Sequence, residues 1–198
     1  MISTETFTPQ WIDSFRRQEQ YRRVNPALFE KMVYAFALLE SLAKTDFDFI
    51  FKGGTSIILI PVSTNRFSID IDITTSKSKK ELDQLLPSII EGSVFNSFNE
   101  DVRPQKEGSI PKAHYVFGFE PSVNTFDTIL LDVLFEENPY KELTRVDIRS
   151  PWLQTSEPFT QVTIPSINSI LGVKLTAFAP ATTGVPYWLS NTELYFLS

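Results

Sequence analysis

Residues 51–73 read FKGGTSIILIPVSTNRFSIDIDI and are the most informative stretch of the chain. A glycine pair, Gly53 and Gly54, separates an apolar segment from a short β-branched run. Asp70 and Asp72 follow, one residue apart in an otherwise apolar segment. Because a strand points alternate side chains to opposite faces, both aspartates are predicted to share one face, and the isoleucines between and after them the other.

Two carboxylates on one face of a strand repel each other and resist burial. A divalent cation removes both difficulties, and Mg²⁺ takes oxygen ligands while keeping substrate phosphates in its shell. The glycine pair lets backbone N–H groups approach a phosphate, with the Thr55 and Ser56 hydroxyls beside it at the start of a short helix. The segment therefore predicts a site for Mg²⁺ and a phosphate. A glycine pair alone is weak evidence, because most such pairs are turns.

A third acid is predicted further along the chain. Asp132 lies in the apolar run TILLDVLF, residues 128–135, where a lone acid is costly to bury unless it is paired, protonated or metal-bound. Asp127 lies five residues earlier, which places it on the opposite face of the same strand and near the strand's start. Asp132 is therefore favoured as the partner of Asp70 and Asp72. The alternative is a solvent-facing Asp132, or one bonded to backbone.

The basic residues near these acids have two interpretations each. Lys52 adds a point charge for phosphate or is a solvated strand end. Arg66 pairs with phosphate or with a carboxylate. Lys174, on a predicted last helix, reaches a nucleotide phosphate or extends along apolar surface to water. His114, which is the chain's single histidine, is interpreted as structural.

Composition excludes several classes of protein. The 198 residues are 42% hydrophobic, which is enough for a buried core, and there is no cysteine, which excludes disulfides and thiolate chemistry. The net charge of −6 argues against a broad nucleic-acid surface, and the one basic cluster, around residues 16–23, is predicted to be a solvated helix face. No signal peptide or membrane-length apolar run is visible, so a cytoplasmic protein is expected.

The periodicity of apolar residues predicts helices first, then a strand–helix–strand unit, then a strand meander. Helices are predicted at 9–22, 26–43, 77–91 and 166–178, and strands at 47–51, 65–75, 111–120, 125–135 and 161–164. This order indicates an α+β domain built on a mixed sheet.

The segments Lys52-Gly-Gly-Thr and Arg66-Phe-Ser-Ile-Asp-Ile-Asp72 resemble the AbiEii-type nucleotidyltransferases, which include toxins of type IV abortive-infection toxin–antitoxin systems and belong to the DNA polymerase β-like superfamily. The resemblance implies a nucleotidyltransferase-like mixed sheet flanked by helices. It also implies roles for the residues already discussed. Triphosphate contacts would come from Gly53, Gly54 and Thr55, Mg²⁺ ligands from Asp70, Asp72 and Asp132, and Lys174 would be the family's lysine on the helix after the sheet.

The resemblance extends over residues 26–180 and is sharpest over 51–73. It suggests N-terminal helices at 1–46, a nucleotidyltransferase-like core at 47–180 and an atypical end at 181–198, where a truncated helical region replaces the family's further helices. A second departure is Ile69, which stands where the family often has an acidic residue.

The leading hypothesis is a Mg²⁺-dependent nucleotidyltransferase that transfers a nucleotidyl group from an NTP to a hydroxyl on an RNA end or a protein. Its family would make it the toxin-like partner of an antitoxin, with no membrane association. Two alternatives remain open. One is a nucleotide-binding or interaction domain without turnover, and the other is a metal-dependent phosphohydrolase that uses the same acids.

Overall fold

The computed structural model describes residues 1–21, 24–60, 68–105, 108–122 and 125–176, without the side chains of Arg16 and Gln20. The predicted phosphate-binding Arg66, two members of the basic cluster, Arg22 and Arg23, and the atypical end 181–198 lie outside these ranges.

A mixed sheet of five strands forms the centre of the domain, in the order β1-β2-β5-β4-β3. The middle pair β2 and β5 is parallel, and every other neighbouring pair is antiparallel. Strands β6 and β7 form a separate antiparallel pair. The strand bounds are β1 Ile50–Lys52, β2 Ile71–Thr75, β3 Phe95–Glu100, β4 Lys112–Phe119, β5 Asp127–Phe135, β6 Leu143–Asp147 and β7 Gln161–Pro165.

Within the described ranges five α-helices accompany the strands, and the longest of them begin at recognisable caps. Asn25 accepts a hydrogen bond from the backbone N–H of Ala27 at the start of the longest helix, and Ser78 and Glu81 form a reciprocal capping box at the start of another. The bounds are α1 Pro9–Arg16, α2 Pro26–Ala43, α3 Gly53–Ser56, α4 Lys79–Ile90 and α5 Ile167–Thr176. Short 3₁₀ turns occupy Thr4–Phe7, Glu19–Tyr21 and Ile57–Leu59.

The hydrophobic core lies on one face of the sheet. Alternate strand residues, among them Phe51, Ile71, Ile73 and Leu131, are fully buried in one cluster with the apolar residues of α2 and α4. On the same face Tyr115 of β4 donates a hydrogen bond to an acid of α4. Since every second side chain of a strand points the other way, the opposite face of the sheet is left for polar groups.

The α+β expectation, with a mixed sheet flanked by helices, is confirmed. Two strands were not predicted, β3 and β6. Their sequences, FNSFNE and LTRVD, are largely polar and lack the apolar alternation by which strands are recognised. None of the helices within the described ranges is long and apolar enough to cross a membrane.

Candidate active site

A row of four polar side chains crosses the sheet on the face opposite the core. Lys52 of β1 pairs in register with Asp72 of β2, Asp72 with Asp132 of β5, and Asp132 with His114 of β4. Directly opposite residues on neighbouring strands share a face, with their Cβ atoms about 5 Å apart. The row therefore brings a lysine, two carboxylates and an imidazole together from segments up to 80 residues apart in the sequence.

Asp72 lies at the centre of this row, and its surroundings disfavour its charged form. Burial raises the pKa of the Asp72 carboxyl, and the negative charges of Asp132 and Asp70 raise it further. Against these effects, the positive charges of Lys52 and Lys174 lower the pKa of Asp72. A half-buried acid among other acids gains from any cation that joins them.

Asp70 lies just before β2 and is more exposed than Asp72. Partial burial raises the pKa of the Asp70 carboxyl, the charge of Asp132 raises it too, and Lys31 opposes both. Because Asp70 still presents much of its surface to water, solvent weakens all three effects. The electrostatic influence of Asp132 on Asp70 and Asp72 shows that the three predicted acids share one neighbourhood.

The backbone of Gly53 lies directly against the Asp72 carboxylate. Its φ of +77° is in the left-handed region that favours glycine. A Cβ atom at this position would lie 2.0 Å from Asp72 Oδ2 and 2.8 Å from its Cγ. Both the backbone conformation and the contact with Asp72 therefore require glycine here. Gly54 is less constrained, since a Cβ there would lie 3.2 Å from Ser68 Oγ.

The hydroxyls predicted to contact phosphate are bonded within the protein. Thr55, which is fully buried, donates from Oγ1 towards the carbonyl oxygen of Asp70 at 2.7 Å and lies 2.8 Å from Ser68 Oγ. Ser56 Oγ donates to the carbonyl oxygen of Gly53 at 2.9 Å. Thr55 thus fastens the glycine turn to the segment that carries the aspartates. That these residues contact a triphosphate stays a prediction.

The helix at the glycine pair is short, as expected. It has only four residues, Gly53–Ser56, before the chain tightens into a 3₁₀ turn. That a phosphate binds at the N-terminus of this short helix stays a prediction. A phosphate at this place would depend on individual backbone N–H groups and on nearby lysines.

Lys174 lies within electrostatic reach of this site although its helix is distant in the sequence. It occupies α5, where it is exposed, and its charge acts on Asp72. Its exposure is compatible with both interpretations, contact with a nucleotide phosphate and extension along apolar surface to water, so the role of Lys174 stays a prediction. Two lysines, Lys52 and Lys174, therefore influence one carboxylate from β1 and from α5.

Asp127 lies at the start of β5, away from the row, as strand parity predicted. Its Oδ1 atom forms an ion pair of 2.9 Å with Lys31 of α2 and accepts a hydrogen bond from the N–H of Thr128. Lys31 also acts on Asp70. Asp127 therefore has a structural partner, whereas Asp132 shares the acidic neighbourhood.

Two neighbours of the acids were not predicted from the sequence. Nδ1 of His114 lies 2.5 Å from Oδ1 of Asp132, so His114 lies on the same face as the acids. That its role is structural stays a prediction. Tyr140, in the loop after β5, has a pKa raised by burial, then by Glu136 and by Asp72, which places it near the central acid. Strand parity puts His114 on one face or the other, but only the register of β4 on β5 shows which residue it meets.

The side chains on this face are of the types that bind Mg²⁺, but their positions do not yet form a metal site. Three carboxylates that disfavour one another's charge supply the oxygen ligands that Mg²⁺ requires. Yet across the described ranges, no three His, Cys, Asp or Glu side chains are grouped closely enough to hold a metal ion as they stand. The donor set therefore fits a divalent cation, provided that the carboxylates are drawn together around it.

Two solved structures are similar to this chain. A candidate nucleotidyltransferase from H. pylori is 22% identical, with a TM-score of 0.48, and the match covers 80% of this chain and 59% of that protein. An antigenic nucleotidyltransferase-like protein from Paracoccidioides brasiliensis is 16% identical with a TM-score of 0.50, over 78% of this chain and 69% of that one. The second likeness shows the fold. No match was found among proteins of curated function.

The model of one protein family covers the site and most of the sheet. It is described as nucleotidyl transferase AbiEii toxin, type IV toxin–antitoxin system, and it matches residues 37–188. The matched range contains the glycine pair, the three acids and Lys174. The chain belongs to the AbiEii nucleotidyltransferase toxin family.

Proposed function

We propose that this protein transfers a nucleotidyl group from a nucleoside triphosphate to a hydroxyl group of an RNA end or a protein, with Mg²⁺ held by Asp70, Asp72 and Asp132. The observation that carries the proposal is the row Lys52–Asp72–Asp132, in which a lysine and two carboxylates occupy neighbouring register positions on the face opposite the core. The chain spans 59% of the H. pylori protein, so the activity of the whole enzyme is itself part of the proposal.

In this reaction the acceptor oxygen attacks the α-phosphorus and forms a new P–O bond. The bond from the α-phosphorus to the bridging oxygen breaks, pyrophosphate leaves, and the acceptor's proton passes to a carboxylate of the site or to water. Mg²⁺ would supply charge neutralisation and alignment of the phosphates. The protein itself contributes positioning and electrostatics.

Individual residues divide this work. Lys52 and Lys174 would neutralise phosphate oxygens near Asp72, since their charges already act there. Gly53 leaves room for the Asp72 carboxylate, and Thr55 fixes the backbone of Asp70 relative to the turn. Gly53 and Thr55 thus position the Asp72 side chain and the Asp70 backbone before any substrate arrives.

The test is label transfer from each of four α-labelled NTPs to total RNA and to protein, with Mg²⁺ present. Asp70→Asn, Asp72→Asn and Asp132→Asn should each reduce transfer at least about a hundredfold, because an essential charge is lost. The matched control is Asp127→Asn, an acid on the same strand as Asp132 that pairs with Lys31. Full transfer by the Asp72 variant would refute the mechanism.

A second candidate is nucleotide binding without turnover. It is favoured by the absence, within the described ranges, of three acids already grouped as a metal site. It predicts Mg²⁺-dependent heat of NTP binding in calorimetry, with no label on any acceptor. The same pair of assays therefore separates the two functions.

Family membership also carries a proposed partner. The matched family is described as the toxin of a type IV toxin–antitoxin system, so we propose a cognate antitoxin encoded with this chain. Co-expression with the neighbouring gene should relieve growth arrest caused by this protein. Growth arrest that no neighbouring gene relieves would contradict the proposal.

A further inference from the structure

The pair His114–Asp132 extends the row of site residues onto a fourth strand. The two residues are register partners on β4 and β5, and Nδ1 of the imidazole lies 2.5 Å from Oδ1 of the carboxylate. Both side chains are partly shielded, with 16% of His114 and 31% of Asp132 exposed. His114 is flanked by Ala113 and Tyr115, which are buried on the core face, so its backbone is fixed.

The direction of this hydrogen bond follows from the chemistry of the two groups. An ionised carboxylate can only accept, so Nδ1 must carry the proton and donate it to Asp132. Among the described residues, neither Nε2 of His114 nor Oδ2 of Asp132 has a hydrogen-bond partner. One oxygen of Asp132 is therefore held by the imidazole, and the other has no hydrogen-bond partner in the part of the chain that the structure describes.

We propose that His114 is a positioning residue that orients the Asp132 carboxylate for Mg²⁺ by holding Oδ1, so that Oδ2 is the metal ligand. This inference rests on the proposed function. Ligating carboxylates are generally hydrogen-bonded by outer groups that fix their rotamer, and loss of such a group weakens metal binding.

A purely structural role, joining β4 to β5, explains the pair less well. The two strands already share eight register pairs, from Lys112–Leu134 to Phe119–Asp127, and their other face is packed in the core. One further side-chain bond adds little to such a hairpin. The bond does, however, decide the rotamer of Asp132, because no other hydrogen bond to its side chain occurs in the described ranges.

Three variants separate orientation from packing. His114→Leu keeps bulk and removes the donor, whereas His114→Asn keeps an N–H donor near the position of Nδ1. Val116→Ala, two residues along the same strand and on the same face, is a matched control that alters packing without altering charge or hydrogen bonds. All are measured at one pH with Mn²⁺ as the probe, by electron paramagnetic resonance of the free ion, and by thermal melting.

We expect His114→Leu to weaken Mn²⁺ binding about tenfold, and His114→Asn to remain within about threefold of wild type. Val116→Ala should match wild type. Nitrogen NMR of the His114 ring should show the Nδ1–H tautomer, with loss of that preference in Asp132→Asn.

Unchanged Mn²⁺ affinity in His114→Leu, while Asp132→Asn loses binding, would overturn this inference and leave the proposed function intact. Equal losses in His114→Leu and His114→Asn, or an Nε2–H tautomer in NMR, would also overturn it. If wild-type protein binds no Mn²⁺, both the proposed metal site and the role of His114 are refuted. This result differs from the one above, in which only the role of His114 is refuted.

Discussion

Substitution of Gly53 by alanine tests the geometry of the site while Asp70, Asp72 and Asp132 keep their own side chains. The substitution has two costs. A non-glycine residue at φ of +77° costs about 1–2 kcal/mol. The new Cβ would also lie 2.0 Å from Asp72 Oδ2, and relieving such overpacking typically costs about 1–3 kcal/mol. Alanine also lowers the conformational entropy of the unfolded chain, which stabilises the folded state by about 0.4–1 kcal/mol. The net destabilisation should be about 2–4 kcal/mol.

The matched control is Gly92→Ala. Gly92 has a similar φ of +72°, but nothing lies within 4 Å of an added Cβ. The Gly92→Ala variant has only the cost of the backbone conformation. The destabilisation by Gly53→Ala should therefore be larger by about 1–3 kcal/mol. For a chain of this length each kcal/mol lowers Tm by about 2–4 °C. Thermal and urea unfolding of both variants measure the difference.

A double-mutant cycle assigns the excess to Asp72. Combining Gly53→Ala with Asp72→Ala removes the clash, so the excess over Gly92→Ala should disappear, while Gly92→Ala with Asp72→Ala should be additive. If Gly53→Ala costs no more than Gly92→Ala, or if Asp72→Ala restores nothing, Asp72 does not lie against Gly53 and the arrangement of the site is wrong.

Two further predictions concern the same segment. Because burial and then neighbouring acids raise the pKa of Asp70 and Asp72 in the folded state, the free energy of unfolding should fall as pH rises from the ordinary value of 3.8 through the raised folded values. Asp70→Asn and Asp72→Asn should therefore melt higher than wild type at pH 7 without metal, and equal to it well below pH 3.8; a lower Tm at pH 7 would contradict this. Thr55→Val should cost about 1–2 kcal/mol in urea unfolding, because Asp70 and Ser68 lose a buried hydrogen-bond partner, whereas Thr55→Ser should keep most of that stability. Equal losses in both would show that the hydroxyl is not responsible.

The sequence alone determined the class of fold and the neighbourhood of the site. Alternation in residues 68–75 separates Asp72 from the buried Ile71 and Ile73, and strand parity separates Asp132 from Asp127. Those inferences hold because successive side chains of a strand point to opposite faces. The local sequence is therefore enough to predict which residues share a face. For the same reason the polar strands β3 and β6 were missed, since their exposed residues follow no apolar pattern.

Only the tertiary structure decided which residues of this face meet. The pairing of Asp72 with both Lys52 and Asp132, and of Asp132 with His114, depends on sheet order and register. Register is set by long-range packing of the core face and by loops whose geometry the sequence does not display. The close contact of Gly53 with Asp72, and the effect of Lys174 on the same carboxylate, arise likewise from contacts between segments distant in the chain.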